Sequence, residues 1–408
     1  MSTRANTPAD ICILGGGIAG LWLAVHLAKT GRGVVLIERA ALGDGQTIAS
    51  QGIIHGGVKY ALTGAASAAS RAIARMPELW RNALAGDGPV DLRGVQVLSD
   101  RQWMWSTASL LSRMTALAGS KVIRTPVQLV RERAEVCPGL QPAPKGVDIY
   151  EVPEPVLEPR SLVASLARQA EALGVRLILG QARLEGQDVL AGSVRLSPAV
   201  VLLCAGGGNA GLLEQSAAAP MPRAQSRPLH MVLVRGPLPV VYGHCVAGLS
   251  DKPRVTIGTQ DDPAMPGRRV WYIGGQIAEA GVHRDAQAQI AEAKRELAAC
   301  IPWVTLDGLE WGTCRWERFE GLTASGDRPD EPVIVELTPG GGASNPGPRL
   351  LAIWPTKLAF APLVGERVSA MLTADQPLAD LNPGVGTPWR HATIAPLPWD
   401  RPEVLWSP

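Results

Sequence analysis

The sequence lacks several features that would assign it to a particular class of protein. Its 408 residues include only two phenylalanines and four tyrosines. No apolar run approaches the roughly 20 residues needed to cross a bilayer, and the first residues lead into an apolar strand without a secretory signal. The 39 basic and 37 acidic side chains are well mixed. The sequence therefore predicts a cytoplasmic protein without a transmembrane segment or a nucleic-acid-binding surface, while peripheral contact with a membrane stays open.

Cysteine is also sparse, and its spacing is informative. The six cysteines lie far apart along the chain and include no Cys-x-x-Cys pair. Cys12 and Cys204 fall inside apolar strand patterns. This arrangement favours buried free thiols in a reducing compartment over disulfides, and no metal site is predicted.

Glycine, by contrast, is abundant, and one glycine-rich segment is the most informative part of the chain. An apolar strand ending at Leu14 leads into Gly15-x-Gly17-x-x-Gly20, which opens an apolar helix, and a second apolar strand ends at Glu38. In such a β-α-β unit the glycines allow a tight turn, close approach of a pyrophosphate and close helix–strand packing. The helix N-terminus attracts phosphate charge, and the acid can accept hydrogen bonds from an adenosine ribose. The chain is therefore predicted to bind a dinucleotide.

The remaining patterns predict two kinds of sheet. The apolar run 199–207, which ends in two glycines, is typical of a central strand in a parallel sheet. Alternating strands are predicted from about residue 226 onwards. The segment 45–60 is too rich in Gly, Ser and Gln for a helix and is predicted to be a loop. Helices are predicted at about 65–85, 106–118, 162–173, 286–300 and 358–372.

Three segments together resemble the FAD-dependent D-amino-acid oxidase superfamily, which includes glycine oxidase, sarcosine oxidase, FAD-linked glycerol-3-phosphate dehydrogenase and L-2-hydroxyglutarate dehydrogenase. These segments are residues 15–38, Ile53-Ile54-His55-Gly56-Gly57 and Leu203-Cys204-Ala205-Gly206-Gly207. The His-Gly-Gly segment is most similar to the glycerol-3-phosphate and hydroxyglutarate dehydrogenase branch. The resemblance implies an α/β fold (α+β overall), in which a Rossmann-like FAD domain carries a second, mostly antiparallel β-sheet substrate domain that covers the flavin.

The resemblance also implies a domain division and a cofactor site. Residues 1–75, 145–225 and 320–375 would form the discontinuous FAD-binding domain, and residues 76–144 and 226–319 the substrate domain. Residues 376–408 would form a tail that bears proline and tryptophan. The implied cofactor-binding residues are Gly15, Gly17, Ile18, Ala19, Gly20, Glu38, Arg39, Gln46, Thr47, Ser50, Gln51, Gly52, Ile54, Ala182, Ala205, Gly206, Pro355, Thr356, Lys357 and Leu358.

Two departures from the family pattern concern the substrate. Amino-acid oxidases of this family carry an Arg-Pro whose arginine holds the substrate carboxylate, and no Arg-Pro stands at the expected place here. Arg318 or Arg315 is the candidate replacement. The usual C-terminal Gly-His-x-x-x-Gly segment is replaced by Trp354-Pro355-Thr356-Lys357-Leu358. The sequence therefore does not carry the family's pattern for a simple amino-acid substrate.

Histidine and lysine side chains are the candidates for proton transfer and charge stabilisation. His55, in the loop that the resemblance brings to the flavin, either takes or orients a substrate proton or only supports FAD binding. His230 either points towards the flavin or, as we favour, is a hydrogen-bonded histidine of the sheet; His244 is a weaker candidate of the same kind. Lys357 precedes the last helix, where a cation and the helix dipole would stabilise a reduced flavin, or it is a solvated lysine in a turn.

The predicted function is an FAD-dependent oxidoreductase, either an oxidase or a dehydrogenase. It would transfer a hydride from a C–N or C–O bond of a small organic substrate to flavin N5, and the electrons would pass on to oxygen or another acceptor. One alternative is an NAD-dependent dehydrogenase, because Glu38 suits either ribose. Another is a flavoprotein in which FAD is structural and the protein serves in an assembly. The apolar run before Gly206 and the loop 45–57 favour FAD over NAD.

Overall fold

The computed structural model describes residues 7–57, 72–106, 127–216, 222–246, 253–262, 265–323, 329–337, 347–372 and 386–408. The predicted helical residues 65–71 and 107–118 lie outside these ranges. Across the ranges that are described, no helix is both long and apolar enough to cross a membrane. The other predicted helices are confirmed, the last of them beginning as a short 3-10 helix at Leu358–Phe360.

The helices and strands are numbered here in chain order. The α-helices are α1 (Ile18–Ala28), α2 (Met76–Ala85), α3 (Pro159–Ala172), α4 (Asn209–Ser216), α5 (Gln276–Ala280), α6 (Ala286–Cys300) and α7 (Ala361–Met371). The strands are β1 (Thr7–Leu14), β2 (Val34–Glu38), β3 (Val97–Ser99), β4 (Gln102–Ser106), β5 (Gln128–Leu129), β6 (Asp148–Val152), β7 (Val156–Leu157), β8 (Arg176–Leu179), β9 (Ala182–Glu185), β10 (Asp188–Ala191), β11 (Val194–Leu203), β12 (Ala224–Gly236), β13 (Gly243–Cys245), β14 (Val255–Asp261), β15 (Arg269–Gly274), β16 (Glu310–Gly321), β17 (Val333–Leu337) and β18 (Arg349–Trp354).

The first sheet contains the parallel strands that the apolar runs predict. Its strand order is β17-β18-β11-β1-β2-β8. The strands from β18 to β8 run parallel, β17 pairs antiparallel with β18, and the β9–β10 hairpin is added to β11. The carboxyl ends of β1 and β11 therefore lie side by side, where a doubly wound sheet binds its ligand.

Both faces of this sheet are buried, which explains why its strands are apolar throughout. One face, with Ile11 and Leu36, packs against α1, α2, α3 and α7. The opposite face, with Cys12 and Val35, packs against α4 and the β9–β10 hairpin. Because successive side chains of a strand point to opposite faces, neighbours such as Ile11 and Cys12 are both fully buried.

The second sheet is mostly antiparallel, as expected. Its order is β16-β12-β15-β14-β13-β4-β6-β5, and the β13–β4 pair is parallel. One face, with Val232 and Ile273, packs against α6. The opposite face carries Met231 and Tyr272. Strand β6 belongs to this sheet. The chain therefore passes from the second sheet to the first after Val152, and not at residue 145, where the predicted FAD-binding segment begins.

The C-terminal segment, residues 386–408, crosses from the first sheet to the second without forming a strand of either. Trp389 Nε1 donates to Val175 O at 2.9 Å on the side of the first sheet. Its isolated backbone bridges join Leu177 with Thr387, Leu42 with Ile394, and Trp311 with Ser407. The segment is therefore attached to both parts of the molecule.

The six cysteines are free and buried. Burial raises the pKa of Cys137 and that of Cys314 to about 12, so both side chains are neutral thiols near pH 7. In the part of the chain that the structure describes, no group of three or more His, Cys, Asp or Glu side chains is arranged to hold a metal ion.

Candidate functional site

The glycine turn between β1 and α1 is shaped by close backbone contacts. Gly15 has a φ of 113°, and an added Cβ would lie 2.6 Å from the carbonyl oxygen of Cys204 at the end of β11. An added Cβ at Gly20 would lie 1.9 Å from the carbonyl oxygen of Gly15. Side chains at these two positions are therefore excluded by sterics, and the turn lies close against the end of β11. In doubly wound folds the ligand occupies the crevice beside such strand ends.

Glu38 is tied to the same turn by its carboxylate. Oε2 accepts a hydrogen bond from Gly16 N at 2.6 Å, and Oε1 accepts one from Ala40 N at 2.9 Å. The residue is 9% exposed, whereas Arg39 beside it is exposed. A carboxylate has about four acceptor positions, so Glu38 retains acceptor capacity for ribose hydroxyls while it fixes the turn.

Thr47 caps helix α1 from a distant part of the chain. Gly17 is the N-cap residue and has no side chain to cap the helix, and Thr47 Oγ1 accepts from Ile18 N at 2.9 Å. The next first-turn amides, those of Ala19 and Gly20, have no intrahelical acceptor by helix geometry. The N-terminus of α1 therefore presents amides and one hydroxyl to the crevice, a suitable set for a phosphate.

The loop that follows Thr47 is hydrogen-bonded to the second sheet. Gln51 Nε2 donates to the carbonyl oxygens of Thr256 at 3.0 Å and Tyr272 at 2.8 Å. Tyr272 donates its hydroxyl to Ala49 O at 3.0 Å. Gly52 has a φ of 71°, and an added Cβ would lie 1.8 Å from Leu157 O. Buried Ile54 continues the loop, and Ser50 Oγ accepts from Gly52 N at 3.4 Å.

The end of β11 is held by an asparagine that the sequence analysis missed. Asn209 is fully buried; its Oδ1 accepts from Ala205 N at 2.8 Å, and its Nδ2 donates to Leu203 O and Ile353 O, each at 3.2 Å. It thereby joins the carboxyl ends of β11 and β18. Gly206 follows with a φ of 56°. The signal in the sequence was an Asn directly after Gly206-Gly207-Gly208, where a side chain can bond to the turn's backbone.

The segment between β18 and α7 contains an unusual backbone conformation. Thr356 has a φ of 65°, the one positive value among the non-glycine residues that the structure describes. Lys357 N donates to Pro355 O at 2.6 Å, which closes a three-residue turn around Thr356. Lys357 then precedes the helix that begins at Leu358, with Nζ 5.5 Å from the ring centroid of Phe360. The helix-start position that the sequence predicts for Lys357 is confirmed, and its role towards flavin stays a prediction.

His55 lies beside a buried carboxylate. Its Nδ1 is 3.4 Å from Oε2 of Glu154, which is 3% exposed. Glu154 also accepts from Gly56 N at 2.5 Å and from Gln102 Nε2 at 3.0 Å. A buried carboxylate that accepts from the backbone of the same loop holds both the loop and the imidazole in place.

A second histidine continues this arrangement. The His244 ring stacks on that of His55, with centroids 5.9 Å apart and planes 26° apart. His244 Nδ1 lies 2.8 Å from Thr256 Oγ1. We call Glu154, His55, His244 and Thr256 the histidine cluster. It joins the loop after the glycine turn to the second sheet.

The other predicted candidates lie elsewhere. His230 is 1% exposed, with Nδ1 3.0 Å from Gly281 O, and burial lowers its pKa. It shares a face with Val232, which packs on α6, so it is the hydrogen-bonded sheet histidine that we favoured. Arg315 donates to the carbonyl oxygens of Val282 and Arg284.

Arg318 is held in an ion-pair cluster. Its Nη2 lies 3.2 Å from Oε1 of Glu279, an oxygen that also pairs with Arg227 at 3.1 Å. Arg227 pairs in addition with Glu320 at 3.3 Å. Burial, followed by the charge of Arg227, lowers the pKa of Arg318. The charge of Arg318 is thus already matched by an acid, and its role in holding a substrate stays a prediction.

Sequence reasoning also missed Glu154. The residue stands between two prolines in Val152-Pro153-Glu154-Pro155, directly after strand β6. An acid between prolines at a strand end is weak evidence for a functional residue, because such acids are usually exposed to solvent. Its partner His55 lies far away along the chain, so their contact could not be predicted from local pattern.

Comparison with known proteins identifies the family. A family model described as FAD dependent oxidoreductase matches residues 10–351. The chain belongs to this family. The resemblance to the D-amino-acid oxidase superfamily is confirmed, and the assignment favours FAD over the NAD-dependent alternative. A probable FAD-dependent oxidoreductase of Pseudomonas aeruginosa is 41% identical over 398 residues, which cover 95% of each chain.

Solved structures agree with the fold. The crystal structure of an FAD dependent oxidoreductase from Pseudomonas aeruginosa has a TM-score of 0.78 at 35% identity and covers 97% of this chain and 98% of that one. Glycine oxidase from Geobacillus kaustophilus has a TM-score of 0.62 at 16% identity, covering 93% and 100%. Reduced L-α-glycerophosphate oxidase from Mycoplasma pneumoniae with FAD bound has a TM-score of 0.60 at 13% identity, covering 95% and 99%. The last two likenesses concern the fold alone.

FAD is the cofactor of this family, and the residues at the crevice fit it. Gly17 and Gly206 add no side chain of their own beside α1, and an added Cβ would lie 3.2 Å from Thr47 Oγ1 and 3.6 Å from Gln46 Nε2, respectively. The α1 amides and the Thr47 hydroxyl suit the pyrophosphate, and Glu38 suits the adenosine ribose. Ala182 begins β9, beyond the end of strand β8.

Proposed function

We propose that this oxidoreductase dehydrogenates a small organic substrate that carries a hydroxyl group, with His55 as the proton acceptor. FAD, when bound, supplies the hydride acceptor, and the electrons then pass to oxygen or another acceptor. The observation that carries the proposal is the contact between His55 and the buried carboxylate of Glu154. Breaking an alcohol C–H bond to give a carbonyl also requires the hydroxyl to lose its proton, and a positioned imidazole suits that task near neutral pH.

The contact also bears on the protonation of the imidazole. In this scheme the Nδ1 of His55, 3.4 Å from Oε2 of Glu154, carries the proton that faces the carboxylate, and Nε2 is assigned as the nitrogen that accepts the substrate proton. The carboxylate stabilises the imidazolium that forms, as in other histidine–carboxylate pairs. The His55 side chain is 31% exposed, so substrate can reach it, whereas the Glu154 side chain is 4% exposed.

Oxidation of a C–N bond is the second candidate. Glycine oxidase and L-α-glycerophosphate oxidase both have similar folds. The first is named for an amine substrate and the second for a phosphorylated alcohol. An amine can enter the site already neutral and then needs no base. The histidine cluster therefore favours the hydroxyl substrate.

An anaerobic substrate screen tests the proposal. Purified holoprotein is mixed with polyol phosphates, 2-hydroxy acids, amino acids and N-methyl amines, and the loss of flavin absorbance is followed, with dithionite as the control for a reducible flavin. We expect a hydroxy compound to bleach the flavin. Bleaching by amines alone would contradict the hydroxyl assignment, and bleaching by dithionite but by no organic compound would favour a structural role for FAD.

A further inference from the structure

Arg401 of the C-terminal segment touches both halves of the molecule. Its Nη2 lies 2.6 Å from Oδ1 of Asp44, in the turn that precedes Thr47. Its guanidinium carbon also lies 4.6 Å from the ring centroid of Trp316, on strand β16 of the second sheet. The side chain is 18% exposed. One arginine therefore combines an ion pair to the cofactor-binding turn with a cation–π contact to the second sheet.

A second contact reaches the same turn through an aromatic pair. Trp399 is 6% exposed, and its ring meets that of Tyr272 edge-on, with centroids 5.8 Å apart. Tyr272 in turn donates its hydroxyl to Ala49 O at 3.0 Å. The C-terminal segment thus supports the tyrosine that holds the far end of the turn.

The beginning of the turn is paired with the C-terminal segment by backbone bonds. Leu42 N donates to Thr393 O at 2.8 Å, and Ala395 N donates to Leu42 O at 3.0 Å. The Leu42 side chain packs over the glycine turn, since an added Cβ at Gly16 would lie 2.7 Å from Leu42 Cδ2. Residues 42–50 are therefore held at their start, middle and end.

These residues need such support because of their own backbone. Gly43 and Gly45 both have positive φ, 79° and 86°, and glycines lose more conformational freedom on ordering than other residues do. The turn nevertheless has to place Thr47 Oγ1 on the amide of Ile18 at the N-terminus of α1. The turn has hydrogen bonds of its own, from Ile48 N to Gly43 O at 3.1 Å and from Ala49 N to Gly45 O at 3.1 Å, and the contacts with the C-terminal segment add to them.

We propose that residues 393–401 act as a clasp that holds the turn 42–50 against the second sheet and thereby sets how fast FAD dissociates. Arg401 and Trp399 are positioning residues in this scheme, since they reach the cofactor site through Asp44 and Tyr272. The clasp concerns retention of the cofactor and is independent of the substrate. It assigns a role to the C-terminal segment, which lies beyond the residues matched by the family model.

The test compares two arginine variants of the holoprotein. Arg401→Met removes the ion pair but keeps an apolar stem over Trp316. Arg235→Met is the matched control: Arg235 lies 4.1 Å from the ring centroid of Trp406 and pairs with Glu310, so it fixes the end of the C-terminal segment outside the clasp. FAD release after dilution is followed by the rise in flavin fluorescence, and the midpoint of thermal unfolding is measured in parallel.

We expect Arg401→Met to release FAD about two- to fivefold faster, the effect of losing one partly exposed ion pair. Arg235→Met should release FAD at the wild-type rate even if its midpoint of thermal unfolding falls as far as that of Arg401→Met. Arg401→Lys, which keeps the positive charge, should release FAD more slowly than Arg401→Met. Trp399→Leu, as an independent variant, should also accelerate release. Wild-type release from both Arg401→Met and Trp399→Leu would overturn the proposal, as would equal acceleration in Arg235→Met, which would mark general destabilisation.

Discussion

His55 and Glu154 form a close pair, with 3.4 Å between Nδ1 and Oε2. The acid is buried and also binds the amide of Gly56, so the loop backbone and the imidazole share one anchor. This relationship gives the loop histidine a defined orientation. It is the reason for treating His55 as a proton acceptor and not merely as support for the cofactor.

Replacing His55 tests that role. We expect His55→Gln to retain FAD, because the backbone contacts of the loop remain, while anaerobic flavin reduction by a hydroxy substrate slows by roughly 100- to 10,000-fold. Stopped-flow absorbance measures the reductive step. His283→Gln, at an exposed histidine, is the control and should behave as wild type. Loss of FAD from His55→Gln would instead indicate a supporting role, and unchanged reduction would exclude His55 as the base.

Replacing Glu154 tests the anchor. Glu154→Gln keeps the size of the side chain but leaves one acceptor oxygen for Gly56, Gln102 and His55. We expect a slower reductive step with its pH midpoint moved downwards, because the protonated imidazole loses its negative partner. Glu151→Gln, at an acid that pairs with Arg101 at 2.9 Å, should leave the pH profile in place. A pH profile unchanged by Glu154→Gln would show that the pair has no role in proton transfer.

Gly17→Val tests the glycine turn. A branched side chain there would start 3.2 Å from Thr47 Oγ1 and fill the approach to the N-terminus of α1. We expect the purified variant to be folded and colourless. Gly211→Ala in helix α4, where an added Cβ meets nothing within 4 Å, is the control that should remain yellow. Stoichiometric FAD in folded Gly17→Val would mean that the cofactor binds elsewhere.

Glu38→Ala tests the ribose acid. The carboxylate accepts from Gly16 N in the turn, and its remaining acceptor positions suit the ribose. Removing it should weaken FAD binding by about tenfold or more, as expected for lost hydrogen bonds to a charged acceptor. Titration of apoprotein with FAD measures the change, and Glu38→Gln, which keeps one acceptor oxygen, should lose less. Equal affinity in all three proteins would place Glu38 outside the site.

His230 predicts a pH dependence of stability. Burial lowers its pKa from 6.5, so the folded state binds the proton less readily than the unfolded state does. The free energy of unfolding should therefore fall as the pH drops below 6.5, the ordinary pKa of the unfolded histidine, by up to about 1.4 kcal/mol per pH unit for one proton. Urea unfolding between neutral and mildly acidic pH measures this slope. His230→Gln should have a smaller slope than wild type, and equal slopes would assign the dependence to other groups such as buried His26, whose pKa is also lowered.

The sequence alone determined those features of this protein that depend on residues close together in the chain. The glycine pattern, the apolar strands on either side of it and the acid at Glu38 lie within one continuous stretch, so their geometry follows from β-α-β packing. The parallel first sheet could be predicted from its all-apolar runs, and the antiparallel second sheet and FAD from the alternating pattern together with the resemblance to the family.

Only the tertiary structure decided which distant residues meet. Glu154 binds the amide of Gly56 across 98 positions, and Arg401 pairs with Asp44 across 357. His230 and Met231 are adjacent in sequence, yet strand alternation and sheet packing send the first towards α6 and the second to the opposite face. Local patterns report the periodicity of one segment, whereas these contacts depend on how two sheets and the C-terminal segment pack together. That packing is set by the summed burial of many side chains and not by any single motif.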